Sequence, residues 1–467
     1  MLFSSMIYLW IFLPVVLGSY FIIKDEFKNI LLLIASLIFY AWGEPKYIIL
    51  MLCTITINYV AGLLMENKNK RGKEIILLGT IIIDLGFLFY FKYYNLFVDT
   101  VNSLTASQTI EPQNIALPIG ISFYTFQAMS YVIDLYREEI NVQKSWLKMS
   151  LYISFFPQLI AGPIVKYKDI CKQIDQRKCS VEKFSYGVKR FSYGLGKKVI
   201  ISNSLAAVVD NILNLDISFI GTNLSWCVAI CYTMQIYFDF SGYSDMAIGL
   251  GKMFGFDILE NFNYPYISKS IQEFWRRWHI SLSTWFKEYL YIPLGGNRKG
   301  TIRTYINLFI VFLVTGLWHG ASYTFVIWGL FHGFFSIIER LFLGKYLKKN
   351  PVKPLNYLYT MIVVMVGWVL FRCDTLGQAL CLIKNMFIYK ESIGYNLAYF
   401  LSTQNIIILF IAIVVSIIIP ALSKRNTFVE ERTNTSWIEI GICSLILLYS
   451  IFLLICDTYN PFIYFRF

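Results

Sequence analysis

The sequence predicts an all-α polytopic membrane protein with about 11–12 transmembrane helices, a re-entrant segment and interfacial helices. Three observations carry this. Of the 467 residues, 57% are hydrophobic and only 15% charged, against roughly 25% charged in a soluble domain. Apolar stretches of spanning length recur along the whole chain, judged at about 1.5 Å rise per residue across a core of about 30 Å. Aromatic residues reach 18%, as expected for long lipid contacts and two interfacial belts. No low-complexity stretch interrupts the pattern, so disordered, collagen-like, nucleic-acid-binding and disulfide-scaffold classes drop out.

Read in order, the apolar segments lie near residues 6–23, 30–42, 46–65, 75–97 and 115–134. After a basic middle section come 199–214, 223–241, 305–319, 322–338, 356–371, 396–420 and 436–458. The first resembles a secretory signal only in length. It lacks a basic leader, contains Pro14 and meets its first positive charge at Lys24, after the apolar run, so it reads as a retained span. No internal repeat is visible, which weakens a transporter reading.

Charge placement sets the orientation. One set of alternate connections holds 35 of the 41 Lys and Arg residues, which assigns it to the cytoplasm and both termini to the outside. Residues 149–165, ending in Phe156-Pro157-Gln158-Leu159-Ile160-Ala161-Gly162-Pro163, are apolar yet flanked on both sides by basic connections. Two prolines and a glycine would break a helix there, and broken backbone at membrane depth requires surrounding protein or a water-filled cavity. The stretch is expected to be re-entrant; a surface helix lying in the interface is the alternative. In 261–303, aromatic and basic residues interleave, as in helices half sunk in the cytoplasmic leaflet.

Few residues can carry chemistry. Nine cysteines form no CxxC pair and only three histidines exist, so no metal site is expected. His319, in Gly316-Leu317-Trp318-His319-Gly320, ends an apolar run. A titratable group so placed is costly and marks function by default; a neutral ring bonded between helices is the alternative. His279 carries the same two readings, and His332 reads as structural. Asp84, Asp134, Asp239 and Asp245 lie within apolar segments; Asp239 and Asp245 either orient a histidine or take a salt-bridge or capping role. Arg276, Arg277, Lys287, Arg298, Lys299 and Arg303 would hold the phosphates of an acyl carrier such as coenzyme A, or simply express the positive-inside bias. The sequence contains no G-x-S-x-G elbow, phosphate loop or H-E-x-x-H motif, which leaves a general base serving an acceptor hydroxyl.

Several runs together resemble the membrane-bound O-acyltransferase superfamily. They are Phe274-Trp275-Arg276-Arg277-Trp278-His279-Ile280-Ser281-Leu282-Ser283, Tyr291-Ile292-Pro293-Leu294-Gly295-Gly296-Asn297-Arg298 and Gly316-Leu317-Trp318-His319-Gly320. Pro118 to Phe123, Pro157 to Pro163, Asp239 to Asp245 and the tail Pro461-Phe462-Ile463-Tyr464-Phe465 extend the likeness over nearly the full length. Within the superfamily the chain looks like the alginate O-acetyltransferase membrane component and its peptidoglycan and cellulose counterparts.

The resemblance implies a single domain with N-terminal helices over 1–134, a catalytic core over 135–345 and C-terminal helices over 346–467, arranged around a central tunnel. It implies a multi-pass enzyme of the bacterial cytoplasmic membrane that moves an acyl group, acetyl in most members, from a cytoplasmic thioester to an extracytoplasmic polysaccharide. His319 matches the catalytic histidine and His279 the second functional position. Arg276, Arg277, Trp278, Arg298 and Lys299 are expected at the donor, with Trp318, Asp239, Asp245, Pro157 and Gln158 supporting the tunnel. The expected donor is acetyl-CoA or another acyl thioester, with no bound cofactor. The expected partners are an SGNH-type extracytoplasmic protein, the polysaccharide acceptor and the lipid bilayer, with no nucleic acid. D-alanyl transfer to teichoic acid, a flippase for an envelope precursor and an inactive scaffold are the alternatives.

Overall fold

The computed structural model describes residues 1–105, 107, 109–422, 436–456 and 459–463, and the regular elements among them are all helical. We label α1 (Asp25–Gly43), α2 (Ile48–Met65), α3 (Lys70–Thr105), α4 (Thr222–Met253), α5 (Ile271–Arg277), α6 (Ile280–Phe286), α7 (Thr301–His319), α8 (Tyr323–Lys349), α9 (Lys353–Arg372), α10 (Thr403–Leu422) and α11 (Trp437–Cys456). Among the described residues, eight of these are long and apolar enough to cross a membrane: α1 to α3 and α7 to α11. Each of the twelve predicted segments falls on a helix. Four lie outside the long apolar class for local reasons. Tyr8–Ile22, Ile121–Tyr136 and Asn203–Leu213 are short. The 223–241 segment is the front of α4, which carries Gln235, Asp239, Ser241 and Asp245, and whose every residue from 231 to 251 is buried. It is buried protein core rather than a lipid-facing span. The 423–435 connection and Tyr464-Phe465 of the tail lie outside the described residues.

The described residues form two compact units, 1–191 with 244–259, and 192–243 with 260–422, 436–456 and 459–463. In the first, residues 149–167 are all buried. A helix lying on a surface would keep one face out, and this stretch keeps none. The chain breaks at Phe155 (φ −51°, ψ 109°), and the freed polar groups find protein partners as the apolar surroundings require. Ser36 Oγ accepts from the Phe156 N–H at 3.1 Å, and the Gln158 amide donates to the Tyr152 carbonyl at 2.7 Å. The Tyr152 hydroxyl lies 3.1 Å from the Val165 carbonyl it donates to.

The acids inside apolar segments have partners. In the first unit, Asn58 Nδ2 donates to both oxygens of Asp84, at 3.1 and 3.0 Å. Lys168 stands 3.9 Å from Asp134, and Arg190 pairs with Asp245 at 2.6 Å. In the second unit, Lys198 pairs with Asp239 at 2.7 Å, and the Ile463 N–H donates to the same carboxylate at 2.9 Å. Of the two roles open to Asp239 and Asp245, the geometry takes the ion pair.

The second unit is organised on the α7–α8 hairpin. Gly316 and Gly329 meet where the helices cross, and a Cβ on Gly329 would stand 3.0 Å from Gly316 Cα and overlap the Phe312 carbonyl. Small residues at a crossing let two backbones touch without lipid between them. This crossing sets the height of the α7 C-terminus, where His319 lies.

Gly329→Ala should therefore spread α7 from α8. The expected loss is about 1–3 kcal/mol of stability, the usual cost of overpacking, read as a lower unfolding temperature in detergent. Gly18→Ala, whose Cβ would meet no atom within 4 Å, should leave the same temperature unchanged.

Candidate active site

His319 is the last residue of α7. Gly320 follows in extended conformation (φ −168°, ψ 154°), ending the helix, and α8 restarts at Tyr323. A side chain at Gly320 would collide with the Phe325 ring, so the turn can close only on glycine. The His319 imidazole is 5% exposed. It packs edge-on against Trp318 and Trp328, both with centroids at 4.9 Å, and against Phe371 at 5.3 Å.

His279 lies between α5 and α6 in left-handed conformation (φ 44°, ψ 56°). A non-glycine residue there is uncommon and strained. What holds the strain is a clasp with the preceding segment. The Ile280 N–H donates to the Asn261 carbonyl at 2.9 Å, and the Asn263 N–H to the Arg277 carbonyl at 2.9 Å. The Asn261 side-chain oxygen accepts from the Ser281 N–H at 3.1 Å and from its hydroxyl at 2.8 Å, and lies 3.2 Å from His279 Nδ1.

Those contacts decide the tautomer. A backbone N–H can only donate, so the Asn261 atom it meets is the oxygen, and His279 must carry its proton on Nδ1. Full burial pushes the His279 pKa down to about 3, so the ring is neutral and Nε2 keeps a lone pair. Nε2 is buried and has no hydrogen-bond partner among the described residues. The two imidazoles face one another with centroids 6.5 Å apart, and Trp318 touches both, at 6.0 Å from His279. The 261–303 segment thus does not stay at the surface: its middle reaches the level of His319.

His332 lies in an aromatic box of Phe274, Trp275, Trp328 and Phe331, with centroids 5.2 to 6.3 Å away. Gly367 is required beside it, since a Cβ would stand 2.7 Å from Nε2. This is the packing role expected of it.

Two cavities open beside this group. The larger, about 820 Å³, is lined by Lys269, Arg276, Arg277, Arg340, Lys345, Lys348 and Lys353 against the carboxylates Glu273 and Glu339. Seven cations facing two acids favour a polyanion. The smaller, about 380 Å³, shares Gln272, Arg276 and Arg340 with the first and adds Trp275, Phe312 and Ser336. Trp275 in turn touches Trp328 at 5.7 Å, and Trp328 touches His319. The indole nitrogens of Trp275 and Trp328 and the Ser336 hydroxyl are buried without hydrogen-bond partners among the described residues.

Of the expected donor residues, Arg276 and Arg277 line the larger cavity. Arg277 is also paired with Glu273 at 2.9 Å. Trp278 is buried among Phe262, Phe274 and Trp368. Arg298 and Lys299 stand exposed on the 292–300 turn, outside the lining of either cavity. Pro157 and Gln158 belong to the buried broken segment of the first unit.

Sequence reasoning passed over Asn261, Ser281, Arg340 and Glu339. Glu339 is 3% exposed and accepts from the N–H groups of Ile271 at 2.6 Å and Gln272 at 3.0 Å, and from the Tyr359 hydroxyl at 3.2 Å. It pins the start of α5, which carries Trp275 and Arg276 and leads to His279. An acid at the end of an apolar span was the available signal.

The profile of the membrane-bound O-acyltransferase family matches residues 136–376. The chain is similar along its whole length to the probable alginate O-acetylase AlgI of Pseudomonas putida, 42% identical with 100% of both chains covered. It is similar to the peptidoglycan O-acetyltransferase of Helicobacter pylori at 34% identity, covering 100% of this chain and 98% of that one. Likeness to the teichoic acid D-alanyltransferase of Bacillus subtilis is more distant, 29% identical over 55% of this chain and 67% of that one.

Glu339→Ala should leave the Ile271 and Gln272 N–H groups without acceptors, at about 1–3 kcal/mol for a buried unpaired donor. The readout is amide exchange in Ile271–Arg277, expected to quicken roughly tenfold or more, one decade per 1.4 kcal/mol. Glu339→Gln, which keeps one acceptor oxygen, should fall between.

Proposed function

The chain belongs to the membrane-bound O-acyltransferase family, and from that premise we propose that it carries an acetyl group from a cytoplasmic thioester to the hydroxyl of an extracytoplasmic polysaccharide. Membership makes it an acyltransferase and a multi-pass membrane protein, and so selects the enzyme over the flippase. The relatives matched along the full chain are O-acetyl-transferring by name, whereas the D-alanyl relative covers about half of it. That contrast favours acetyl.

One observation supports the site more than any other: two imidazoles, His279 and His319, face each other at 6.5 Å, one ring beyond cavities suited to a charged head and an uncharged arm. In the proposed reaction His319 takes the proton of the acceptor hydroxyl as its oxygen attacks the thioester carbonyl carbon. The C–S bond breaks, and the imidazolium returns the proton to the departing thiolate. A general base of this kind contributes about 10²–10⁴-fold; alignment of two dilute reactants in one passage supplies more.

A second imidazole at this site would either orient a reactant or stabilise the oxyanion. A neutral ring with its proton on Nδ1 presents a lone pair, not a donor, so orientation is the role its tautomer suits. The donor's phosphates belong in the larger cavity on Arg276, Arg340, Lys345 and Lys348. Its arm would run through the smaller one, where amide groups would satisfy Trp275 Nε1 and Ser336 Oγ. An SGNH-type partner on the outer face would assist this transfer to the sugar, and 135–345 would act as the catalytic core, in the cytoplasmic membrane of a bacterium.

His319→Ala should abolish acetyl-CoA-dependent acetylation while the protein still reaches the membrane. Activity above about a tenth of wild type, less than a general base supplies, would remove His319 from this role. Arg276→Ala with Arg340→Ala should raise the donor KM by about tenfold or more, the equivalent of one charge-assisted contact. An unchanged KM would return both residues to the positive-inside bias.

A further inference from the structure

We propose that Asn261 is a positioning residue for acyl transfer: its side-chain oxygen locks His279 in the Nδ1–H tautomer, so that Nε2 faces the site as a hydrogen-bond acceptor. The inference rests on the proposed part of His279 in the reaction and names what holds that part in place.

Asn261 is fully buried. Its backbone carbonyl already secures the turn through the Ile280 N–H, so the side chain is not needed for that bond. The side-chain oxygen instead gathers three groups at one point: the Ser281 N–H, the Ser281 hydroxyl and His279 Nδ1. The first of these identifies the atom as oxygen. The second is the Ser281 hydroxyl, whose oxygen lies 3.4 Å from Nδ1. The Asn261 oxygen therefore demands a donor at Nδ1, which the other neutral tautomer does not supply. A group that fixes which imidazole nitrogen holds the proton governs what the opposite nitrogen can do.

The remaining faces of the ring meet Phe240 at 4.6 Å, Trp318 at 6.0 Å and His319 at 6.5 Å. Of these three only His319 titrates. Arg277, two residues before, is engaged by Glu273 and the Asn263 carbonyl. The lock is thus a neutral carboxamide. A neutral partner orients the ring without favouring the imidazolium, in contrast to a carboxylate in the same place.

The test measures free CoA released from labelled acetyl-CoA by the full chain in membranes, with the acceptor side supplied by the outer-face partner, across a range of pH. Asn261→Ala should lower kcat by about 10- to 100-fold, the usual cost of losing an orienting partner, with the donor KM within about threefold of wild type. Asn261→Asp should retain most of kcat at alkaline pH. Its acid limb should move upward by roughly one unit or more, because a carboxylate against Nδ1–H favours the imidazolium, which has no Nε2 lone pair. That second variant decides the matter if Asn261→Ala fails to reach the membrane. An unchanged kcat in Asn261→Ala, an effect confined to KM, or an Asn261→Asp profile superimposing on wild type overturns the proposal. A wild-type protein that releases no CoA instead defeats the acyl-transfer reading itself, and a His319→Ala protein that releases as much removes His319 from its role.

Discussion

Everything at this site depends on one constraint: backbone that leaves a helix away from water must find its hydrogen bonds inside the protein. The segment from Asn261 to Ser281 meets that demand by pairing with itself. Asn261 and Asn263 take and give backbone bonds to Arg277 and Ile280, which lets the chain turn back through His279 in a left-handed conformation. Without that pairing His279 would have no reason to occupy a strained position, and no means of staying there. The broken stretch at 155–165 solves the same problem in the first unit with side chains, through Ser36 and Gln158. Irregular backbone in both places is buried and satisfied from within the protein, and in the second unit it sets a buried imidazole in place.

The fold was legible because its causes are local and repetitive. Apolar runs of spanning length, and lysines and arginines on one set of connections, follow from what the bilayer accepts, and each predicted segment is a helix. The failures of detail share one cause. Asn203–Leu213 and α4 read as ordinary spans, yet α4 carries Asp239 and Asp245 and is buried throughout 231–251. Lipid and protein core are similar solvents to an apolar side chain, and hydropathy does not separate them. His319 and His279 stood out because titratable groups in apolar runs are costly. Asn261 did not, since its role arises only when residues 18 positions apart are folded onto each other. Trp278 illustrates the converse. It lies inside the most recognisable motif of the chain, and its ring is packed in the core, with one face on Phe274.

Charge is distributed so that each region can do only one thing. The larger cavity concentrates cations whose side chains are mostly exposed, where water lowers the cost of their mutual repulsion and a polyanion would relieve it. The imidazoles, a few rings inward, have no such screening, and their environment is built from indoles, phenyl rings and a carboxamide. Glu339 stands at the border. Its carboxylate is committed to the Ile271 and Gln272 N–H groups, so it fixes the start of α5 while the opposite end of that helix delivers His279. The distance between the cationic chamber and the imidazole pair is thereby set by a helix of seven residues rather than by a flexible loop.

A rigid spacing of this kind explains why the two histidines can differ in kind although they are chemically identical. His319 is packed against aromatic edges on three sides, Trp318, Trp328 and Phe371, which fix where the ring is. His279 is held by directional bonds that fix which nitrogen carries the proton. In the proposed reaction the first ring would exchange a proton between hydroxyl and thiolate, and the second, its tautomer imposed, would receive a hydrogen bond. That difference in the proposed reaction resides in the neighbours, which include Trp318, Trp328 and Phe371 for one ring and Asn261 and Ser281 for the other.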